Sequence, residues 1–274
     1  MKDPALLSLS PDAPVVMSIV NVTPDSFYGE SRTMDKASIR ERVGEAVSAG
    51  AAILDIGGRS SRPGACDITP EEEIARLSMA LEVIEEDFSD IFVSIDTFCG
   101  AVAREIVSRF GACMINDISA GELDPAILDV VASYDLPYVA MHMRGTPATM
   151  QQMTDYDNIT DAIIDFFEKK ITQLHERGVR KMILDPGFGF AKTAEQNFRL
   201  LRDMAALQRF GYPILAGLSR KSMIYKTLGC GPEDTLAGTT ALNWEALRQG
   251  ASILRVHDTA PAVQVVELYK FMYL

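Results

Sequence analysis

The sequence has no run of about 20 apolar residues, so no bilayer-crossing helix is expected. Its opening residues, Met1 to Pro14, lack a long apolar core, and an ordinary signal peptide is not expected either. Cysteine is scarce. Cys66, Cys99, Cys113 and Cys230 form neither a CxxC pair nor a zinc-type spacing, and they read as reduced thiols of a cytoplasmic protein. Only three histidines occur, His142, His175 and His257, without an HExxH motif, which argues against a zinc centre. The GxG of Asp185–Phe190 does not extend to GxGxxG, and Gly217–Ser222 lacks Walker A spacing, so neither nucleotide fingerprint is supported. Basic residues are in the minority: 26 against 38 acidic, for a net charge of −12. That field disfavours nucleic acid and anionic membrane as partners. An anionic ligand must therefore be met by a local cluster of cations.

What is present is apolar material in a regular rhythm. Of the 274 residues, 47% are hydrophobic. Short apolar runs recur at Val15–Val20, Ile53–Ile56, Ile91–Ile95, Met114–Ile115, Tyr138–Met141, Met182–Leu184, Ile214–Ala216 and Ser252–Val256. Such continuous runs suit parallel strands covered on both faces. Stretches of helical period alternate with them: Lys36–Ala49, Pro70–Glu86, Gly100–Phe110, one opening at Asp124-Pro125, then Asn158–Arg177, Ala194–Arg209, Thr235–Gln249 and Ala260–Tyr273. Thr69, Pro70 and Glu72 form a capping-box start for the second helix. Eight strand–helix alternations predict one (β/α)8 barrel over residues 1–274, with 1–14 as a lead-in. A doubly wound sheet is the structural alternative. His175 falls inside a helix and is read as solvent-facing, and His142 fits rim packing as well as ligation.

In a (β/α)8 barrel, functional groups gather at the C-terminal ends of the strands. Here the strand ends carry Asn21, Asp55, Asp96, Asn116-Asp117, His142, Asp185, Ser219-Arg220-Lys221, and Arg255 with His257. A strand-end acid often caps the next helix, but eight such ends in a row point to a shared mouth. Two acids and an amide (Asp96, Asp185, Asn116) suit a flat heterocycle with an amidine-like edge. Arg62, Lys221, Arg255 and His257 suit a phosphate group, and Asn21 offers an oxygen to Mg²⁺ carried with a diphosphate. The loops Asn21–Phe27 and Gly57–Gly64 read as lids.

Eight ordered motifs then resemble the dihydropteroate synthase family of pterin-binding TIM barrels. They are NVTPDSF at Asn21–Phe27, DIGGRSSRPGA at Asp55–Ala65, SIDTF at Ser94–Phe98, INDISAG at Ile115–Gly121, MHMRGTPATMQ at Met141–Gln151, DPGFGFAKT at Asp185–Thr193, GLSRKSMI at Gly217–Ile224 and ILRVHD at Ile253–Asp258. The resemblance implies condensation of 6-hydroxymethyl-7,8-dihydropterin diphosphate with para-aminobenzoate, releasing diphosphate. It implies a pterin site of Asp96, Asn116, Met141, Asp185, Phe190, Gly217 and Lys221, with Asp96, Asp185, Lys221 and Asn116 carrying the catalysis. Diphosphate is expected on Asn21, Ser61, Arg62, Arg255 and His257, with Mg²⁺ on Asn21. Para-aminobenzoate is expected among Thr23, Pro24, Phe27, Ser61, Arg62, Pro63, Phe190 and Ser222. A homodimer is also implied. The sequence departs from the family's pattern in four places: Arg59 stands where Glu is usual, Ser61 where Thr is usual, Ala191 where Gly is common, and the first loop continues differently, as Tyr28-Gly-Glu-Ser-Arg. A folate-linked methyltransferase barrel and a non-catalytic pterin-binding barrel remain as alternatives.

Overall fold

The apolar runs become eight parallel strands. In the computed structural model, residue 2 and residues 9–23, 35–59 and 68–274 are described. The strands are β1 Val15–Asn21, β2 Ile53–Gly57, β3 Phe92–Asp96, β4 Met114–Asp117, β5 Tyr138–Met141, β6 Met182–Asp185, β7 Leu215–Ala216 and β8 Ile253–Val256. They form one sheet in the order β6-β5-β4-β3-β2-β1-β8-β7. A parallel bridge between Leu184 and Ile214 links β6 to β7 and brings the two ends of the sheet together. The barrel expectation holds, and the doubly wound alternative falls because its sheet would remain open.

The helices are α1 Lys36–Ser48, α2 Pro70–Asp87, α3 Gly100–Phe110, α4 Ala126–Ser133, α5 Ile159–Glu176, α6 Ala194–Arg202, α7 Ser222–Leu228, α8 Leu236–Arg248 and α9 Thr259–Tyr273. Two differ from the sequence reading. The stretch expected as one helix to Arg209 breaks at Asp203, where a 3₁₀ segment begins. There the Asp203 carboxylate accepts from Arg202 Nε and from Thr160 Oγ1 of α5. The seven residues of α7 are too few to show periodicity, so this helix stands outside the stretches read from apolar spacing. The capping box also moves. Thr69 accepts from the Glu72 amide, but the Glu72 carboxylate is taken by Arg76 one turn on. The reciprocal box forms instead at α6, between Thr193 and Gln196.

Period-two alternation explains how the strands place the site. One set of side chains points outward: Val93 and Ile95, Leu54 and Ile56, and Leu254 and Val256 pack against the surrounding helices. The other set points inward. Met17, Ile53, Met114, Val139, Ile183, Leu215 and Ile253 form a separate buried layer across the barrel, with Phe92 packed against it. Two residues further along β2, β4, β6 and β8 stand Asp55, Asn116, Asp185 and Arg255. The apolar layer is thus a floor, and polar residues stand on it.

Candidate active site

The centre of this mouth is a charge network. The Arg255 Nε donates to Asp55 Oδ2 at 2.6 Å, and another guanidinium nitrogen reaches Asp96 Oδ2 at 2.6 Å. Asp55 Oδ2 also accepts from Asn116 Nδ2 at 3.0 Å. Asp55 is fully buried, Asn116 is buried, and the Arg255 and Asp96 side chains are about one-fifth exposed (20% and 19%). Burial works against the Arg255 charge, but Asp55 and Asp96 outweigh it and raise its pKa further. Burial lifts Asp96 above the ordinary carboxylate value; Arg255 opposes that rise, and Asp55 adds to it. The fork of Arg255 therefore fixes an acid that faces the mouth from β3.

Asp185 ends β6 and is buried. Its Oδ1 accepts from the Gly187 amide at 2.7 Å. Burial raises its pKa, opposed by that bond and by the charges of Lys221, Arg255 and Lys192. The turn after it depends on two glycines. Gly187 has φ 71°, and a Cβ there would lie 2.0 Å from the His142 carbonyl oxygen. Gly189 has φ 82°, and a Cβ would meet the Lys221 chain at 3.1 Å. Close passage of this turn brings the Lys221 ammonium over the Phe190 ring, 4.4 Å from its centroid. Lys221 is the N-cap of α7, with no side-chain cap bond, and Ser222 is that helix's first residue. Burial, then Arg255, lowers the Lys221 pKa to about 8, while Asp185 and Asp96 pull the other way. Met141 and Gly217 continue the inward sets of β5 and β7.

Beneath the turn sits Lys192, which the sequence reading left unassigned. Its buried ammonium donates to the carbonyls of Gly187 (2.9 Å) and Phe190 (3.0 Å) and lies 3.1 Å from His142 Nδ1. Burial depresses it to about 7. His142 packs edge-on against Phe166 of α5, with ring centroids 4.8 Å apart. His142 is therefore a packing residue outside the mouth. Asp117 also leaves the expected set: it accepts from Tyr138 Oη, Ser119 and the Gly121 amide on the outward side of β4. His175 is exposed, within 2.8 Å of Tyr212 Oη.

On the rim, His257 is exposed, and its Nδ1 lies 3.1 Å from Ser219 Oγ. Desolvation at the rim, then the charges of Arg255, Arg220 and Lys221, lower the imidazole to about 4. Arg220 itself is paired with Asp258 through both ends of its fork. Asn21 ends β1, its Oδ1 3.2 Å from where a Gly57 side chain would begin, on the same side as Asp96. No group of three or more His, Cys, Asp or Glu able to hold a metal exists among the described residues. That donor set suits Mg²⁺ only as an ion sharing its shell with substrate oxygens and water, which is its usual habit. Thr23 is buried just beyond Asn21. Pro24, Phe27, Ser61, Arg62, Pro63 and Cys66, with most of both expected lids, lie outside the described residues.

Residues 17–257 match the model of the pterin binding enzyme family. The chain belongs to the pterin-binding enzyme family. A dihydropteroate synthase of Synechocystis sp. is 42% identical over 258 residues, covering 92% of this chain and 88% of that protein. The structure of Yersinia pestis dihydropteroate synthase in a sulfonamide drug complex superimposes with a TM-score of 0.90 at 37% identity, covering 97% of each chain. That of Xanthomonas albilineans dihydropteroate synthase in complex with 7,8-dihydropteroate gives 0.85 at 36% identity, covering 96% and 95%.

For a pterin-binding barrel, the sequence reading missed two inward-acting residues, Asp55 and Lys192. Asp55 was read as a strand-end acid, yet it lies in the middle of β2 and bonds Asn116 and Arg255. Its inward register, two residues after Ile53, was the available signal. Lys192 offered no signal, because only the folded turn buries it. Ala191, one of the departures from the family's pattern, sits at φ 48°. A left-handed alanine costs roughly 1–2 kcal/mol relative to glycine's freedom, so the departure is tolerated as local strain.

Proposed function

We propose that this chain joins 6-hydroxymethyl-7,8-dihydropterin diphosphate to para-aminobenzoate, acting as one catalytic unit. The observation that carries this reading is the convergence at one mouth of two carboxylates, an amide and two cations: Asp96 and Asp185, Asn116, and Arg255 and Lys221. A pterin ring presents an amidine-like N–H edge for the acids and a carbonyl and ring nitrogens for Lys221 and Asn116. Desolvation of both carboxylates makes each ring contact stronger than in water. The Xanthomonas neighbour's ligand, 7,8-dihydropteroate, is the product of this reaction.

In the reaction, the aniline nitrogen forms a C–N bond to the pterin methylene. The C–O bond to diphosphate breaks with its electron pair, and the amine proton leaves to solvent. Asp96 and Asp185 lie where positive charge develops on the pterin, and Arg255 and His257 face the departing anion. The aniline is already neutral near pH 7 and needs no strong base, which accords with the lack of a catalytic triad among the described residues of the mouth. Asn21 would hold Mg²⁺ together with diphosphate oxygens, and the ion would offset the leaving group's charge. Ser222 at the start of α7 would meet the carboxylate of para-aminobenzoate. The test is incubation with both substrates and Mg²⁺; the expected result is dihydropteroate and diphosphate in equal amounts, and absence of product would refute the reading.

His257 supplies a pH test. The free imidazole is held at about 4, below the ordinary 6.5, so it is neutral at pH 6. An arriving diphosphate favours the imidazolium and raises that pKa. Diphosphate binding near pH 6 is therefore expected to take up protons and to strengthen as pH falls from 8 to 6. Calorimetry in buffers of different ionisation heat reads the uptake, and His257→Ala should abolish it.

Two further readings complete the proposal. The chain works in the cytoplasm, consistent with free thiols at Cys99, Cys113 and Cys230 and with no described helix long and apolar enough to cross a membrane. It acts as a homodimer; the exposed apolar side chains of Leu268, Phe271 and Met272 on α9 favour a covered surface. Light scattering at twice the chain's 30.0 kDa would agree.

A further inference from the structure

The turn between β7 and α7 holds an arginine in a backbone conformation that suits glycine. Residues 218–221 form a tight turn, closed by the Lys221 amide on the Leu218 carbonyl at 3.2 Å. Arg220 is its third residue and has φ 57°. A turn with positive φ at that place ordinarily carries Gly or Asn there. Strain of this kind persists only where surrounding contacts over-determine it. Two contacts do so. The Arg220 amide donates to Thr239 Oγ1 of α8 at 3.3 Å. The guanidinium forks onto Asp258, Nε to Oδ2 at 3.0 Å and a terminal nitrogen to Oδ1 at 2.6 Å. Asp258 stands at the N-cap position of α9, where an aspartate ordinarily caps helix amides, yet its side chain makes no cap bond. Both of its carboxylate oxygens serve Arg220 instead.

The preceding residue of the turn repeats the connection. Ser219 is buried, and its Oγ accepts from the His257 amide at 3.2 Å and lies 3.1 Å from His257 Nδ1. A hydroxyl that accepts from the amide can still give its own proton to Nδ1. The ring proton then sits on Nε2, a donor for an anion. Two successive residues of one turn, Ser219 and Arg220, thus hold two successive residues at the exit of β8, His257 and Asp258. Stability does not account for the arrangement. The Arg220 and Asp258 side chains are 40% and 22% exposed, and an ion pair this open to water adds little to stability.

We infer that Arg220 and Asp258 are a positioning pair for the leaving-group side of the mouth. By locking the turn before α7 to the chain entering α9, they fix the His257 imidazole and so set the affinity for diphosphate. The inference rests on the synthase reading given above, in which His257 faces the departing anion. Neither residue need touch a substrate, and capture of the pterin ring, on Asp96, Asn116 and Asp185 of other strands, proceeds without them.

Isothermal titration with inorganic diphosphate and Mg²⁺, alongside thermal melts, tests this, because charge and geometry predict opposite signs for one variant. Asp258→Asn removes a negative charge beside an anion site, which by Coulomb attraction alone would tighten diphosphate binding. Positioning predicts the reverse, a Kd raised by roughly tenfold, since a displaced imidazole loses its aligned contact. Arg220→Gln/Asp258→Asn leaves the net charge unchanged and should show a similar loss. Arg220→Gly relieves the turn as it removes a partly exposed ion pair, so it should melt close to wild type while binding diphosphate weakly. In a His257→Ala background, Asp258→Asn should bring no further loss, because the pair acts through the imidazole. Affinity for a pterin lacking phosphate should stay within about twofold in every variant of the pair, since its contacts stand on other strands. Native or tighter diphosphate binding in both Asp258 variants would overturn the inference, as would an undiminished loss in the His257→Ala background. Equal losses for the two ligands would also overturn it, reducing the pair to a brace for the whole mouth. Wild-type protein that makes no dihydropteroate sinks the synthase reading and the inference with it. Active wild type with diphosphate binding intact in the variants sinks the inference alone.

Discussion

Asp185→Ala is expected to weaken pterin binding by about 2–4 kcal/mol, roughly 30- to 1000-fold in Kd, with turnover falling at least as far. The carboxylate is buried at the end of β6, and burial already raises its pKa, so the free protein gains little from its charge. A pterin edge would supply the donors that make the ionised form favourable. Deleting the acid leaves those ring donors without a partner in a desolvated mouth, which is the costly case for a hydrogen bond. Asp185→Asn is the control for folding. It preserves an acceptor for the Gly187 amide, now bound at 2.7 Å, and so preserves the turn. It should melt near wild type yet bind pterin weakly, because one of its two terminal groups is a donor facing donors. Isothermal titration with a pterin lacking phosphate isolates the ring contact from diphosphate binding. Native pterin affinity in both variants would remove Asp185 from the ring site.

Arg255→Met should be more damaging still, because it strikes stability and binding together. The guanidinium holds Asp55 and Asp96, each at 2.6 Å, and Asp55 is fully buried. Breaking a buried ion pair by removing one partner costs about 3–5 kcal/mol, which at roughly 2–4 °C per kcal/mol for a chain of this size lowers Tm by roughly 6–20 °C. Arg255→Met/Asp55→Asn removes one stranded carboxylate and should recover much of that loss, as coupled neighbours do in a double-mutant cycle. Binding should not recover. The pterin diphosphate loses a cation outright, whereas a pterin without phosphate loses only the alignment of Asp96. The larger loss is therefore expected for the phosphorylated ligand. Equal losses for the two ligands would place Arg255 solely in the acid network, and a native Tm for the single variant would contradict the network itself.

Particular residues show how far the site was legible in the sequence. Asp96, Asn116, Asp185, Lys221 and Arg255 stand at ends of apolar runs, and the structure brings them to one mouth. Their legibility follows from the barrel itself, whose strands all deliver their C-terminal ends to one face. His142 and Asp117 also stand at such ends but turn away, one against Phe166 and the other onto Tyr138 Oη. A difference of one residue decides between them, because successive strand side chains point to opposite faces. Asn116 and Asp117 illustrate it most directly: the first reaches Asp55 across the interior, and the second serves an outward turn.

By itself the sequence determined the eight strands, most of the helices between them and the family, since these follow from local apolar periodicity and from motifs carried on contiguous residues, whereas closure of the sheet was decided by the bridge between Leu184 and Ile214. It also determined the chemistry available at the mouth: acids and amides for a ring edge, and cations for an anion. Only the tertiary structure decided who pairs with whom. Asp55 and Arg255 are 200 positions apart, and nothing local to either names the other. Lys192 becomes a buried clamp only because the turn at Gly187 folds over it. Arg59 reads in the sequence as a reversed charge on a loop. In the fold it answers a buried glutamate 14 residues away and donates to the Ile68 carbonyl. Charge matching of this kind depends on burial, and burial is a property of the packed barrel alone.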